Sequence, residues 1–395
     1  MTLDLARVVT SISEMVATVS PEHDRHRFDA LRHLWETLDS NDVNDRLDQA
    51  STSFLLARQP ANYRSRFPLP TVPESYAVVA TDGSMILPDR HSPARFYLTN
   101  IGKVYLRYGA DPFADLSADP DMRFGEDDLW INGDSRRVPV NEVILGLRRA
   151  TAELLAAVEL LEGEPLPSVA LVDGTLILWS LVSLDPAITD SILPDFLAAL
   201  RIFKQRRQPV AGYISAPNAA DLMNTLRVAI CDYPQRTGRV DCNDCWRRTM
   251  TEGHTPFCDI LPGVPDRYLL TDIANLCPGE RSQVFDSDSS ILNRYGADLR
   301  ICFFYVNTGR EIARLEIPRW VANDAELLDR VHSIAWDQSQ LGRGYPVALQ
   351  EAHEQAVLSL ADRRLVEETV ERQLASQGIV FTRTGKDGSK RGRFV

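Results

Sequence analysis

The chain has 395 residues, of which 44% are hydrophobic and 25% charged, and its formal net charge is −12. This composition is ordinary for a soluble globular protein, and the length allows one large domain with insertions or two domains. The negative charge repels other polyanions at long range, so DNA binding would require a local basic channel, metal ions or a partner.

No segment of the sequence has the length and hydrophobicity of a membrane helix. The longest apolar stretch, residues 169–184, contains Asp173 and is shorter than the roughly 20 apolar residues that span a bilayer. The first residues include Asp4 and have no hydrophobic block of the kind found in signal peptides. We therefore expect a cytoplasmic protein without a membrane segment.

Residues 3–58 are predicted to be helical, because their apolar residues recur at helical spacing. These positions are Leu5, Val8, Val9, Ile12, Met15 and Val16, followed by Phe28, Leu31, Leu34 and Leu38. Helices of this kind are typical packing or dimerisation elements, so we expect a homodimer. A linker with three prolines follows at residues 64–73.

Two strand-like segments each carry an aspartate followed by glycine. Residues 76–86 contain Asp82-Gly83-Ser84, and residues 168–178 contain Asp173-Gly174-Thr175. Hard divalent cations such as Mg²⁺ and Mn²⁺ prefer carboxylate oxygens, and glycine leaves room for a metal, a water or a phosphate beside the backbone. Asp-Gly is also a common hairpin turn, which is the alternative for either segment taken alone. Together the two segments favour a metal site.

Between these segments, residues 95–100 and 103–108 are predicted to be two strands joined by a turn at 100–102. Residues 111–134 are acidic and turn-rich, and we expect a surface excursion there; whether it contacts a partner stays open. Residues 140–161 should form a helix.

A two-metal site needs a third carboxylate, and the predicted helix 140–161 and the residues just after it offer several. Glu153 is our choice and Glu159 the second candidate, ahead of Glu142 and Glu162. Each of these is otherwise a solvated helix residue.

The second half of the chain continues as alternating helices and strands. The predicted helices are 194–204, 221–229, 325–339 and 346–374, and the predicted strands are 210–215, 299–306 and 311–317. This order indicates an α/β fold around a mixed sheet. The basic residues from 382 onward should be disordered.

One histidine and one tyrosine near the C-terminus are further candidates. His353 follows Pro346 in the predicted helix, and Tyr345 precedes it. A zinc-protease motif is excluded, because the second histidine would have to stand where Val357 does. The sequence also lacks a G-x-x-x-x-G-K-[ST] phosphate loop, so a motor that moves along duplex DNA would have to be another chain.

In order and spacing, these motifs resemble the NurA nucleases over residues 50–365. The resemblance implies an RNase H-like core and a Mn²⁺-dependent (or Mg²⁺-dependent) deoxyribonuclease that works with the hexameric ATPase HerA in DNA-end resection, as a 5′-3′ exonuclease and single-strand endonuclease. It also implies that Asp82, Glu153, Asp173 and His353 bind the metal and that Tyr345 completes the site. The domains would then be an N-terminal helical segment (1–60), a NurA-like nuclease domain (61–380) and a basic tail (381–395).

Two other function classes stay open at this stage. One is a non-catalytic docking subunit of a DNA-processing complex that keeps the fold. The other is a metal-dependent phosphohydrolase that acts on small molecules. Cleavage of labelled single-stranded DNA with and without Mn²⁺ separates all three.

Cysteines are concentrated in residues 231–280, which we predict to be an insertion that departs from the family pattern. Cys242 and Cys245 form a C-x₂-C pair typical of half a zinc site, and Cys231 and Cys258 are the nearest further thiols. His254 and Cys277 are additional candidates, the latter also for an iron–sulfur cluster, while Cys302 lies in an apolar strand and should be buried. The alternative is a set of reduced thiols, because a chain without an export signal rarely carries disulfides.

Overall fold

The computed structural model describes residues 4–17, 21–58, 60–89, 94–232 and 239–379. The helices, in chain order, are α1 (Leu5–Ala17), α2 (Pro21–Thr37), α3 (Ser40–Asp48), α4 (Glu126–Leu129), α5 (Glu142–Leu160), α6 (Pro186–Arg206), α7 (Asp221–Ala229), α8 (Cys242–Glu252), α9 (Asp266–Tyr268), α10 (Arg319–Ala322), α11 (Ala325–Leu341), α12 (Val347–Ala356) and α13 (Leu360–Ser376). The strands are β1 (Ala57–Arg58), β2 (Arg66–Phe67), β3 (Tyr76–Ile86), β4 (Tyr97–Tyr108), β5 (Phe113–Arg123), β6 (Trp130–Asn132), β7 (Arg137–Pro139), β8 (Ser168–Asp173), β9 (Val210–Ile214), β10 (Arg281–Ser282), β11 (Phe285–Ser287), β12 (Ile301–Asn307) and β13 (Ile312–Pro318). None of the described helices is long and apolar enough to cross a membrane.

The chain divides into two compact units, each assembled from separate stretches. The site unit comprises Val72–Gly212, Ala297–Leu299 and Asn323–Val395, and the cysteine unit comprises Met1–Thr71, Tyr213–Gly296 and Arg300–Ala322. The chain leaves the site unit and later returns to it. The contiguous domains expected from the sequence, 1–60 and 61–380, stay a prediction. The predicted basic tail, 381–395, lies outside the described residues.

A mixed sheet forms the centre of the site unit. Its strands lie in the order β5-β4-β3-β8-β9. β3 is antiparallel to β4 along its whole length and parallel to β8 through the pairs from Ala77↔Ser168 to Thr81↔Val172, and β4 is antiparallel to β5. The predicted α/β architecture with a mixed sheet flanked by helices is therefore confirmed.

Helices α5 and α12 pack on opposite faces of this sheet. Directly opposed residues of an antiparallel pair point to the same face, and neighbours along a strand alternate. Thr81 donates a hydrogen bond to the carbonyl oxygen of Glu153 in α5, whereas Ser84, three residues later, donates to that of Ala356 in α12. Tyr76 to Thr81 are buried, as expected for a strand covered on both sides.

Two predictions about the edge of this sheet were wrong. β4 is one continuous strand across Asn100-Ile101-Gly102, because every residue there pairs with β3, and Gly102 serves the close approach of α12 rather than a turn. The acidic segment expected as an excursion contains β5, all of whose residues are exposed. With no buried face, β5 lacks the hydrophobic alternation by which a strand is recognised.

The C-terminal helix was predicted as one element and is two. α12 ends at Ala356, and α13 begins after Ser359, whose side chain accepts a hydrogen bond from the Asp362 N–H at 3.1 Å while the Asp362 carboxylate accepts from Ser359 N–H at 2.9 Å. This reciprocal capping box fixes a new helix start. α6 also begins earlier than expected, at Pro186, and accommodates Pro194 inside it.

The cysteine unit has its own antiparallel strands and core. β12 pairs with β13 from Ile301↔Pro318 to Asn307↔Ile312, and β11 pairs with β12. Arg314, a residue of β13, is buried between two carboxylates: its guanidinium nitrogens lie 2.6 Å from an oxygen of Asp221 and 2.9 Å from one of Glu316. The guanidinium carbon is 3.7 Å from the centre of the Phe303 ring. Every charge of this trio therefore has an opposite charge in contact.

Candidate metal centre

Asp82 lies inside strand β3 rather than at its end, but it stands where one side of that strand opens. The parallel pairing with β8 stops at Thr81↔Val172, whereas the pairing with β4 continues to Ile86. The Asp82 side chain is 14% exposed, and its Oδ1 accepts a hydrogen bond from the Gly83 N–H at 2.7 Å. Because β3 and β8 no longer pair beyond Thr81 and Val172, the Asp82 carboxylate lies beside a gap between these two strands.

Asp173 is the last residue of β8, so it borders the same gap. Its Oδ1 accepts a hydrogen bond of 2.8 Å from the Tyr345 hydroxyl. Desolvation and the nearby charge of Asp82 raise the pKa of Asp173, while the Tyr345 hydrogen bond opposes the increase. The two aspartates are therefore close enough to repel each other.

His353 reaches Asp82 from the face of the sheet covered by α12. Its Nδ1 lies 2.8 Å from Asp82 Oδ2. A carboxylate accepts hydrogen bonds, so Nδ1 is the donor in this contact, and in the neutral imidazole Nε2 then carries the lone pair. The imidazole is 62% exposed, so a ligand can reach the ring.

Glu153 approaches from the opposite face, on α5, and its side chain is 6% exposed. Burial raises the pKa of Glu153 to about 8; Arg149 opposes this increase, and Asp82 and Asp173 add to it. Within the described part of the chain, no group donates a hydrogen bond to its Oε1. The second candidate, Glu159, is elsewhere: its side chain is 72% exposed and lies 3.8 Å from Lys103 Nζ.

Arg149 is a residue of this site that the sequence analysis missed. Its guanidinium donates a hydrogen bond to the Gly83 carbonyl oxygen, and its Nε lies 3.4 Å from Glu153 Oε1. The four-residue spacing between Arg149 and Glu153 places both on one face of α5 and was readable from the sequence. The contact with Gly83 was not, because it depends on where α5 crosses β3.

Gly83 allows this crossing. A Cβ atom built there would lie 2.6 Å from Glu153 Oε1 and 2.8 Å from Arg149 Cγ. Neither distance is possible without displacing a side chain. The missing side chain at Gly83 therefore leaves the space in which the Glu153 carboxylate and the Arg149 side chain lie against the strand.

A cavity of about 420 Å³ is lined by Arg149, Glu153, Asp173, Thr175 and Trp179, among others; Asp82, Tyr345 and His353 are not among its lining residues. A larger groove of about 1060 Å³ in the same unit is lined by Trp130 and Arg148 and includes none of the site carboxylates. The smaller cavity is therefore the one that borders two of the three carboxylates.

The donor atoms fit a hard divalent cation. Carboxylate oxygens from two strands and a helix, with one imidazole nitrogen, are the ligands such ions take in proteins. Two further observations support a cation here. Oε1 of Glu153 is buried without a hydrogen-bond donor among the described residues, and Gly83 has no side chain to fill the space beside it. Over the described ranges, no three His, Cys, Asp or Glu side chains already stand at coordination spacing, so a bound ion would draw its ligands inward.

The structure brings together Asp82, Glu153, Asp173, Tyr345 and His353, while the cysteines predicted to bind zinc belong to the cysteine unit. Residues 76–358 match the NurA domain, a range that includes all five of these site residues. No curated protein matches the chain. Since the match covers well over half of its length, the protein belongs to the NurA family of nucleases.

Proposed function

We propose that the protein is a divalent-metal-dependent deoxyribonuclease, with Mn²⁺ or Mg²⁺ held by Asp82, Glu153, Asp173 and His353. One observation carries the proposal. Three carboxylates from different elements converge at a gap in the sheet, and one of them is buried with an oxygen that no described group satisfies. A purely structural cluster would instead pair these charges.

An RNase H-like core is the fold we propose for the site unit. The antiparallel strands β5, β4 and β3 are followed across the sheet by β8, which is parallel to β3. The two aspartates stand on β3 and β8, at the point where these parallel neighbours separate. This arrangement supports the assignment implied by the motifs.

When bound, divalent ions at such a site activate a water and neutralise charge on the phosphodiester and its leaving oxygen. The protein residues then have separate tasks. Asp82, Asp173 and Glu153 offer the anionic ligands. Tyr345 orients the Asp173 carboxylate through its hydroxyl hydrogen bond, and Asp82 orients the His353 ring through its contact with Nδ1.

We assign Arg149 two successive contacts. Without metal, its guanidinium lies beside Glu153 and opposes the rise that burial causes in the pKa of that carboxyl. Metal binding would supply this positive charge instead, which leaves a planar cation at the cavity wall. A guanidinium in that position is suited to hold a phosphate oxygen of the DNA backbone.

The finer activity we propose is 5′-3′ exonuclease and single-strand endonuclease action in DNA-end resection, in the cytoplasm, with a HerA-type hexameric ATPase. The absence of a phosphate loop from the sequence supports a separate motor chain. Helix α1 supports a homodimer, because Leu5, Val9, Met15 and Val16 are each more than half exposed on it.

The decisive experiment incubates purified protein with end-labelled single-stranded DNA in chelator, in Mg²⁺ and in Mn²⁺. We expect cleavage with metal only, and its loss in an Asp82→Asn/Asp173→Asn variant but not in Glu159→Gln, which changes an exposed carboxylate outside the site. No cleavage by wild-type protein under any condition would favour the docking subunit. Hydrolysis of nucleotides or phosphomonoesters, with DNA left intact, would favour the small-molecule phosphohydrolase.

Assembly is tested separately. We expect light scattering to give the mass of a dimer, and duplex ends to be degraded efficiently only when a HerA-type ATPase and ATP are present. A monomer that resects duplex DNA without ATP at the same rate would contradict both expectations. Deleting residues 111–134 in the same assay would show whether the acidic segment contacts the partner.

A further inference from the structure

Four cysteines of the cysteine unit gather although they are separated along the chain. Cys231 follows α7, Cys242 and Cys245 occupy the first turn of α8, and Cys258 lies in the short turn Phe257–Ile260. Cys231 and Cys242 pack against the same buried hydrophobic cluster of this unit, and Cys242 and Cys245 stand three residues apart at the start of α8. Burial raises the pKa of Cys242, Cys245 and Cys258, and the charges of neighbouring thiols add to the rise. The remaining two cysteines are elsewhere: Cys277 is exposed, and Cys302 contacts Asp286 at 3.3 Å.

Helix α8 is weakly anchored by its own side chains, of which Cys242 packs, partly buried, against the core of the unit. It has 11 residues, none of them buried, and its large apolar side chains Trp246 and Met250 are 65% and 68% exposed. Helices shorter than about 12–15 residues are marginal in water without tertiary packing. Yet the helix starts at a defined place, where Cys242 N–H donates to the Ser51 carbonyl oxygen at 2.9 Å and Asp241 caps Asp244 at 3.0 Å.

Charged groups of both signs surround the thiols. Against the rise that burial causes, Arg227 and Arg248 lower the pKa of Cys258 and Cys245, respectively, whereas Asp259 raises both and Asp232 raises that of Cys245. Arg227 Nε is buried without a hydrogen-bond partner in the described residues, and so is Nε2 of His254, four residues before Cys258. Zn²⁺ bound by four thiolates carries a net charge of −2, of which Arg227 would offset part; Arg248 also pairs with Glu252 at 3.0 Å.

We propose that Cys231, Cys242, Cys245 and Cys258 form a closed tetrahedral Zn²⁺ site that fastens α8 and the turn after it to the end of α7. Four thiolates are a common ligand set of structural zinc, and a C-x₂-C pair at a helix start is a typical half of such a site. The sulfurs are not yet at coordination spacing, so side-chain rotation must bring them to the ion. Each thiol gives its proton to solvent as its zinc–sulfur bond forms, and no oxidant or reductant is required.

Metal analysis of protein purified without added metal tests this site, independently of any nuclease activity. We expect about one zinc per chain, lost in a Cys242→Ser/Cys245→Ser variant and kept in Cys277→Ser, the matched exposed control. Replacement by Co²⁺ should give the intense thiolate-to-cobalt absorption of a tetrahedral site. In the native zinc form, a thiol reagent should modify Cys277 rapidly and the four ligands only after a chelator is added.

If the double variant does not fold, the cobalt spectrum and the thiol titration of wild-type protein decide the question. Several results would overturn the proposal: no zinc in the purified protein and no cobalt spectrum under reducing conditions, iron with acid-labile sulfide in place of zinc, or disulfides among the four cysteines.

Discussion

Two buried charged groups, one in each unit, are built in opposite ways. In the cysteine unit, Arg314 contacts Asp221 and Glu316 and lies over an aromatic ring. In the site unit, Glu153 is nearly as buried, but two further carboxylates lie nearby, and among the described residues the opposing charge is Arg149, at 3.4 Å. The two buried groups therefore differ in the sign of their neighbours, which are of opposite charge around Arg314 and mostly of like charge around Glu153.

The largest expected effect comes from removing the aspartates of the site. Asp82→Asn and Asp173→Asn should each lower metal-dependent DNA cleavage on the order of 10³-fold or more, because each removes a metal ligand. Thermal stability in chelator should stay the same or rise, since mutual repulsion is relieved. Cleavage assays and thermal unfolding on the same preparations check both, and retained cleavage in both variants would refute the site assignment.

Removing the arginine that pairs with Asp221 and Glu316 should instead lower the stability of the fold. Arg314→Leu leaves Asp221 and Glu316 buried without their cation, which typically costs about 3–5 kcal/mol of the free energy of unfolding. Arg310→Leu changes an exposed arginine of the same hairpin and should cost less than about 0.5 kcal/mol. Urea unfolding measures both; a loss below about 1 kcal/mol for Arg314→Leu would show that its charges are not coupled as described.

The pH dependence of stability, measured in metal-free buffer, should show the raised pKa of Glu153. The pKa of Glu153 is raised to about 8 in the folded protein, against about 4.3 in an unfolded chain, so folding takes up a proton between these values. Its contribution to stability is complete below about pH 4 and is lost as the pH rises toward 8.

Glu153→Gln removes this proton uptake. The variant should match wild type near pH 4.5 and exceed it by about 1–3 kcal/mol at pH 8. Glu159→Gln should show no such divergence, because its carboxylate is exposed. Chemical unfolding at several pH values provides the comparison, and parallel curves for wild type and Glu153→Gln would contradict it.

The smallest effect is expected for Tyr345→Phe. It deletes one hydrogen bond to Asp173 and leaves every charge in place, so cleavage should fall by about tenfold, equivalent to about 1.4 kcal/mol. The exposed Tyr268→Phe is the matched control and should leave the rate unchanged. A rate for Tyr345→Phe as low as that of the aspartate variants would show that this hydroxyl does more than orient Asp173.

The sequence predicted those parts of the fold and site that depend on local pattern. Asp82 and Asp173 were recognisable because each follows a run of buried strand residues and precedes glycine. Arg149 was missed because its role depends on how α5 crosses β3, which no local pattern encodes. β5 was missed for a different reason, since a strand exposed on both faces has the composition of a loop.

The two-unit division could not be predicted either. Residues 297–299 belong to the site unit while the stretches on both sides of them belong to the cysteine unit. Such a return is fixed by packing between distant segments and leaves no trace in composition.

Gly83 has a consequence for how this enzyme could be switched off. The aspartate, glutamate and tyrosine variants above remove a charge or a hydroxyl, whereas Gly83→Ala would add a single methyl group in the space that Glu153 Oε1 occupies. The full set of carboxylates would remain, but the side chains of Glu153 and Arg149 would have to move. The absence of a side chain at one residue of β3 thus fixes where the buried carboxylate of the candidate site can lie.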